Sequence, residues 1–235
     1  MAVKAPRALT HAKRLYAPER WSEIIERGMR LLGDRAGPLL LQLPPSMERD
    51  DARLDYALAH LPAGTRTAVE FRHPSWLDET VFGILERHDS AYVVMSGANL
   101  PCVLRATSEV VYVRWHGPSG EHLYAGSYSE DDLRWWADRL REWEAAGHRV
   151  YGYFNNDQFG YAVANAMRLG DLLGEEPRRV CGGGLGCGNR RDSFGRRFGR
   201  GAGSLRAQQG NTDHGSRGDR PGAFCFRHER WCSRR

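Results

Sequence analysis

The sequence predicts an α/β protein with a parallel sheet, arranged as an incomplete (β/α)8, TIM-barrel-like fold. Three observations support this prediction. Short apolar segments alternate with amphipathic segments along residues 1–173. The apolar segments are almost continuous, which is typical of strands covered on both faces in a parallel sheet. A barrel of eight units runs to ~250 residues, so residues 1–173 supply about six units.

Six segments have the pattern of strands, and turn residues close each of them. The predicted strands cover residues 1–6, 38–43, 67–72, 91–95, 110–115 and 150–154. The first is short and ends at Pro6, so we expect the two units that complete a barrel to be missing before it. Right-handed crossovers through the intervening helices make all six strands parallel.

Five amphipathic segments are predicted helices and cover residues 18–32, 50–61, 77–88, 131–146 and 161–173. Apolar residues recur in them at spacings of three and four, which is the period of a helix with one buried face. In the first helix the predicted buried side holds Trp21, Ile24, Ile25, Met29 and Leu32.

Residues 174–235 differ in composition from the rest of the chain. They hold 14 Arg, no Lys and six acidic residues, a formal charge of +8, which leaves −3 for residues 1–173. They also hold 14 of the 27 glycines. Such a segment buries too little apolar surface to offset its ordering entropy, so we expect a disordered Gly/Arg-rich tail. It is either a genuine basic tail or, as we favour, an out-of-frame translation of GC-rich DNA.

Cysteine usage and hydropathy indicate a cytoplasmic protein with no membrane partner. Cys102 lies in the body of the chain and four further cysteines lie in the tail, where their spacing does not match zinc motifs. No apolar segment has the length of a signal peptide core or of a membrane span. In a reduced compartment we expect no disulfides. The oligomeric state stays open.

Polar side chains gather at the carboxyl ends of the predicted strands, where parallel α/β proteins place their sites. The opposite edge consists mostly of Gly, Pro and Arg in turns. The candidate site residues are Lys4, His11, Gln42, Glu70, Arg72, His73, Arg114, His116, Asn155 and Asn156. The last two could instead be turn residues, which Asn favours.

Glu70 and Arg72 lie two apart on one strand, so their side chains point to the same face. They could form a catalytic acid/base carboxylate beside an anion-binding guanidinium, or a structural ion-pair network. Arg114 and His116 repeat the spacing on another strand, which favours the functional interpretation. His73 is a further candidate for proton transfer, although a lone His before Pro has little specificity.

We expect no metal, and the sequence leaves the cofactor unknown. His11, Glu70, His73, His116 and Asp157 have the chemistry of metal ligands, but no H-x-H or H-E-x-x-H spacing is present. The G-x-G-x-x-G, Walker A and G-x-S-x-G motifs are also absent, which disfavours a dinucleotide cofactor, an NTPase and a serine hydrolase.

Four aromatic residues near the predicted rim are candidates for stacking on a sugar or a base. They are Trp76, Trp115, Tyr124 and Tyr128.

The combined motifs resemble the YecE-like family, a TIM-barrel family classified as a domain of unknown function. The motifs are KAPRALTH (4–11), LLLQLPPS (39–46), VEFRHPSW (69–76), VYVRWHG (111–117), Tyr124 with Tyr128, and YFNND (153–157). The resemblance covers about residues 2–173 in collinear order. It implies a (β/α)8-like barrel in which the ten candidate site residues line one pocket.

The sequence departs from the pattern of this family at two places. It lacks two opening strand–helix units, and Ser96 stands where many members carry an acidic residue at a strand end. Absence of two units would leave the barrel open, with exposed sheet edges and a gap in the pocket wall.

Three functions stay open at this point. The first is an enzyme acting on a small polar, anionic or phosphorylated substrate, with Glu70 and His116 or His73 in proton transfer and Arg72 and Arg114 as the anion clamp. The second is a nuclease-like barrel that processes nucleic acid or nucleotides, although the charge of −3 on residues 1–173 disfavours broad duplex binding. The third is an inactive fragment.

Overall fold

The computed structural model describes residues 1–122 and 124–174 and the backbone of residues 224–227. These residues belong to one compact unit. They form one sheet with its strands in chain order, β1 to β7. The strands are β1 Val3–Lys4, β2 Leu39–Gln42, β3 Thr67–Glu70, β4 Ala91–Ser96, β5 Val110–Trp115, β6 Arg149–Phe154 and β7 Phe224–Arg227.

Strands β1 to β6 are parallel to their neighbours, and they curl into a half-barrel. Helices connect them at every step of this series except from β4 to β5. The helices are α1 Glu19–Leu32, α2 Asp51–Ala59, α3 Glu79–Arg87, α4 Glu130–Ala145 and α5 Tyr161–Leu173. The predicted α/β class and the parallel order of six strands are therefore confirmed.

Most element boundaries lie within two residues of their predicted positions, because buried apolar segments and capping residues determine where strands and helices begin and end. Helix α3 begins at Glu79 because the side chain of Asp78 accepts a hydrogen bond from Thr80 N at 2.8 Å. Residues 8–12, which lie outside every predicted strand and helix, form a short π-helical turn that buries Leu9 and Thr10.

The alternation along the strands separates two apolar clusters. One cluster lies between the outer face of the sheet and the helices, and it includes Leu41, Val69 and Trp115. The other lies on the inner face of the curled sheet, and it includes Leu40 and Ala68 with several residues of the later strands. Since successive strand residues point to opposite faces, the inner positions continue toward the carboxyl edge as polar side chains.

Trp115 shows how closely the outer face is packed. Its ring stacks on Phe154 at 4.5 Å between centroids and meets Trp136 of α4 edge-on at 5.4 Å. The neighbouring strand provides room because Gly152 has no side chain: a Cβ there would lie 2.5 Å from the indole ring. The sequence VYGYF therefore uses its glycine for this close approach.

One predicted helix face is wrong in part. Ile25 of α1 is buried, but Ile24 is 57% exposed. Two adjacent residues differ by about 100° around a helix, so the single face that the sheet covers takes one of them and not the other.

Part of the C-terminal stretch also departs from expectation. Residues 224–227, which we expected to be disordered, form β7, and this strand pairs antiparallel with β6. The rest of the predicted tail lies outside the described residues, so the two explanations of its origin stay predictions. In the described part of the chain, no helix is long and apolar enough to cross a membrane.

Candidate functional site

The carboxyl edge of the half-barrel brings together side chains from three strands. Gln42 of β2 and Glu70 of β3 are register partners. Arg72 follows Glu70 by two residues, and Arg114 and His116 stand at the end of β5. We call these five residues the polar cluster. The parallel order explains why they meet, because all the strands end at the same edge of the sheet.

Glu70 is the centre of the polar cluster and is fully buried. Its Oε1 accepts hydrogen bonds from Arg72 Nε and, at 3.2 Å, from Gln42 Nε2. Its Oε2 accepts a hydrogen bond from Arg114 Nη1. The two guanidinium groups are almost buried, with side-chain exposures of 8% for Arg72 and 13% for Arg114. A single carboxylate thus holds two arginines in fixed orientations.

His116 lies beside this pair and is also fully buried. Its Nε2 is 3.3 Å from Arg72 Nη2 and 3.9 Å from Glu70 Oε1. Its Nδ1 is 3.2 Å from Nδ2 of Asn155, in the loop after β6. The guanidinium nitrogen and the amide nitrogen can only donate, and a neutral imidazole has one acceptor nitrogen, so the ring accepts a hydrogen bond from one of these two groups.

The polar cluster shifts the pKa values of its own acid and base. Burial favours the neutral form of Glu70, but the positive charges of Arg114 and Arg72 outweigh it, so its pKa is lowered and it stays ionised. Burial and the same two arginines lower the pKa of His116 to about 3, although Glu70 acts in the opposite direction. At neutral pH the cluster therefore holds a carboxylate and an uncharged imidazole.

Lys4 and His11 extend the polar cluster toward the edge strand β1. Lys4 Nζ donates a hydrogen bond to Gln42 Oε1. Burial and the charge of Arg114 lower the pKa of Lys4, whereas Glu70 raises it. His11 lies on the π-helical turn, and its Nδ1 is 2.9 Å from Thr10 Oγ1. Burial and the positive charges of Arg7 and Lys4 lower the pKa of His11.

Positive charge exceeds negative charge at this edge. Lys4, Arg72 and Arg114 influence one another electrostatically and share the carboxylate of Glu70. Three cations and one anion leave an excess of two positive charges, which is an arrangement that favours an anionic ligand.

Two of the predicted site residues lie apart from the polar cluster. His73 caps the short 3-10 turn Pro74–Trp76, since its Nδ1 accepts a hydrogen bond from Ser75 N at 3.3 Å. Asn156 is fully buried and donates from Nδ2 to Gly126 O at 2.8 Å and to Asn165 Oδ1 at 2.9 Å. These contacts are local or structural.

Asn165 was not predicted, yet it organises the loop after β5. Its side chain accepts a hydrogen bond from Tyr128 N at 3.1 Å and donates to Ser127 Oγ at 3.1 Å. A polar residue on the buried face of a predicted helix was the available signal, because buried amides need partners. With Asn156 it holds residues 126–128 against the ends of β6 and α5.

Three of the four aromatic residues expected to stack on a ligand are core residues instead. Trp76 and Trp115 are fully buried, and Tyr128 is 6% exposed. The hydroxyl of Tyr128 lies 3.0 Å from Ser96 O and 3.1 Å from Ser96 Oγ. Ser96 is therefore in contact with the outer-face residue Tyr128 and is not a member of the polar cluster. Tyr124 alone of the four stays at the rim.

Other features of the described residues do not add a second site. No group of three or more His, Cys, Asp or Glu side chains in residues 1–122 and 124–174 is arranged to hold a metal ion. A cleft of about 210 Å³ lies at the opposite, amino-terminal edge of the sheet, beside residues 62–66. It contains none of the predicted site residues.

The curled parallel sheet, the outer helices and a charged cluster at the carboxyl edge define a barrel-type α/β protein. The chain belongs to the family described as protein of unknown function DUF72, which is the YecE-like family and matches residues 1–185. The match extends past residue 173, where we expected the domain to end.

Solved structures agree with this assignment. A DUF72-family protein of Thermotoga maritima is similar with 29% identity and a TM-score of 0.67, over 74% of this chain and 73% of that chain. A DUF72-family protein of Enterococcus faecalis has 16% identity and a TM-score of 0.67, over 78% of this chain and 77% of that chain. The second similarity concerns the fold alone. No curated protein matches this chain.

Proposed function

We propose that the polar cluster is the anion-binding part of an active site, in an enzyme that acts on a small phosphorylated or otherwise anionic substrate. One observation carries this proposal: Arg72 and Arg114 share a single buried carboxylate, with Lys4 beside them. A bound phosphoryl group supplies the missing negative charge and accepts charge-assisted hydrogen bonds from the guanidinium groups.

In this proposal Glu70 positions the arginines. Its lowered pKa makes it a poor proton donor at neutral pH, and both of its oxygens are occupied by hydrogen bonds. This role combines the two interpretations that the sequence left open, because the ion-pair network itself prepares the binding site. Fixed guanidinium groups bind an anion at a smaller entropic cost than mobile ones.

His116 is the group that we propose for proton transfer. In the free protein its imidazole is neutral, partly because Arg114 and Arg72 repel a second positive charge. A bound anion offsets these two charges and raises the pKa of His116 toward the neutral range, where a general base is efficient. Anion binding and protonation of His116 therefore favour each other. Asn155 keeps the ring oriented.

For the fold, we propose that the half-barrel corresponds to six units of an eight-unit (β/α) barrel. The match leaves about a quarter of the Thermotoga maritima chain uncovered. Two of eight units would be the same share.

Thermal unfolding of the full chain tests anion binding. Phosphate should raise the melting temperature of the wild-type protein relative to chloride at the same ionic strength. At a hundredfold excess of phosphate over its Kd, the free energy of unfolding should increase by about 2.7 kcal/mol. Arg114→Gln should abolish the rise. Lys4→Gln, which leaves Glu70 paired with its arginines, should reduce it.

Arg134→Gln is the matched control, because Arg134 is an exposed arginine on the surface of α4. It should keep the full response. An equal rise in the wild-type protein and in Arg114→Gln, or no rise beyond that with chloride, would contradict the proposal.

A further inference from the structure

Tyr124 is an exposed aromatic residue whose ring contacts the polar cluster. It lies in the loop between β5 and α4, and its ring centroid is 5.5 Å from that of His116, with the planes tilted by 56°. More than a third of the residue, 37%, is exposed. Tyr124 is therefore partly open to solvent.

The backbone of Tyr124 is in an unfavourable conformation. Its φ of 69° lies in the left-handed region, which a bulky side chain rarely adopts. Such conformations persist only where the surrounding structure imposes them, and they are frequent at binding sites. A glycine or an asparagine would fit this backbone better, so an aromatic side chain at this position has an energetic cost.

The loop that carries Tyr124 is held at both ends. At its beginning Gly117, with φ of 97°, lies so close to Ala125 that a Cβ would be 2.2 Å from Ala125 O. Ser119 N donates a hydrogen bond to Ala125 O at 3.2 Å. At its end Gly126 O accepts the hydrogen bond from Asn156. These contacts hold residues 117–119 against residues 125 and 126.

The ring and the cations both lie beside His116. Tyr124 contacts His116, and His116 is 3.3 Å from the guanidinium of Arg72. A ligand whose anionic group binds the arginines can place its next atoms near the phenol ring. A flat ring at that position gains stacking contact, whereas a short aliphatic group does not.

From this geometry we propose that the ligand carries a ring with a flat face near its anionic group, and that Tyr124 selects this ring by stacking. The inference rests on the proposed function, because it requires the anion to bind Arg72 and Arg114. The shared chemistry is a ring face beside a phosphoryl group, and either a nucleobase or a sugar can supply it.

Calorimetric titration of the full chain with two small esters tests the inference. Phenyl phosphate should bind the wild-type protein roughly tenfold more tightly than methyl phosphate, which is the size of one stacking contact. Tyr124→Leu should reduce this ratio to about one. Tyr124→Phe should keep the ratio, because the ring and not the hydroxyl makes the contact.

Trp135→Leu is the control, since Trp135 is an exposed aromatic on the outer surface of α4, and it should keep the wild-type ratio. Equal affinities for the two esters in the wild-type protein would overturn the inference and leave the proposed function intact. Failure of methyl phosphate to bind at all would overturn both.

A second pair of ligands identifies the source of the ring. A nucleoside monophosphate and a hexose phosphate are titrated into the wild-type protein and into Tyr124→Leu. A loss of affinity in Tyr124→Leu for either ligand supports the inference. No loss for both would overturn it, even if both bind.

Discussion

Glu70 determines the charge state of the proposed site. A buried carboxylate standing alone would be neutral, and a buried arginine standing alone would be costly. Together, Glu70, Arg72 and Arg114 stay charged because each compensates the burial of the others. Burial and the same two arginines keep His116 neutral. One arrangement thus produces both a cationic site and a proton acceptor.

The pKa of His116 predicts a specific dependence of stability on pH. The imidazole has a pKa of about 3 in the folded chain, against an ordinary value of 6.5. As the pH falls below 6.5, the unfolded chain binds a proton that the folded chain does not, so stability decreases. Between pH 7 and pH 5 this residue should account for a loss of about 2 kcal/mol in the free energy of unfolding.

Urea denaturation at the two pH values measures this loss. In His116→Gln the contribution of His116 should disappear, whereas His122→Gln, a change at an exposed position, should keep it. Glu70 acts in the same direction at lower pH: its pKa is lowered from 4.5, so its stabilisation is present above that value and is lost on further acidification. An unchanged pH dependence in His116→Gln would refute the assigned protonation state.

At the scale of the elements, the alternation of residues along a strand explains which predictions succeeded. Gln42, Glu70, Arg72 and Arg114 could be grouped from the sequence, because strand order and the period of two place them at one edge and on one face. The same rule could have separated Asn155 from Asn156, since adjacent residues point to opposite faces. It also places Trp115, between Arg114 and His116, in the outer core.

Other parts of the site depend on contacts between distant residues and could not be read from the sequence. The neutral state of His116 results from the burial of its ring and from Arg72, which is 44 positions away in the chain. The hydrogen bonds of Asn165 require α5 to pack beside residues 127–128. The position of Tyr124 depends on a loop whose sequence has neither the period of a strand nor that of a helix.

A pair of glycine substitutions tests the packing of the elements. Gly152→Ala should destabilise the protein by about 1–3 kcal/mol, because the new Cβ would overlap the rigid indole of Trp115. Gly83→Ala should stabilise it by about 0.5–1 kcal/mol, since Gly83 lies in α3 with no neighbouring atom within 4 Å of a new Cβ. Chemical denaturation of both variants measures the signs. Two changes of the same sign would contradict the described packing.

At the scale of the whole molecule, the charge is unevenly distributed. The sequence carries +5 in total, but residues 1–173 carry −3, and the excess of positive charge in the described site is confined to Lys4, Arg72 and Arg114. A small anion fits this local excess better than a duplex fits the whole surface. The nucleic-acid alternative gains no additional support, and the proposed substrate is therefore a small molecule.

The proposed anion site extends to an exposed side chain on β1, beside the polar cluster. Lys4 lies on β1, which pairs with β2 alone among the described strands, and its side chain is exposed. Gln42 and Glu70 lie deeper, on the next two strands.

The most direct test of the proposed anion site is an NMR titration of the full chain with phosphate, observed at the arginine side-chain Nε–H resonances. If phosphate binds the proposed site, the resonances of Arg72 and Arg114 shift in a saturable manner with one common Kd. The resonance of Arg134, on the surface of α4, does not shift in this way. Assignment follows from Arg72→Lys and Arg114→Lys. Constant resonances of Arg72 and Arg114, in a titration in which phosphate saturates another group of resonances, would contradict the proposed anion site.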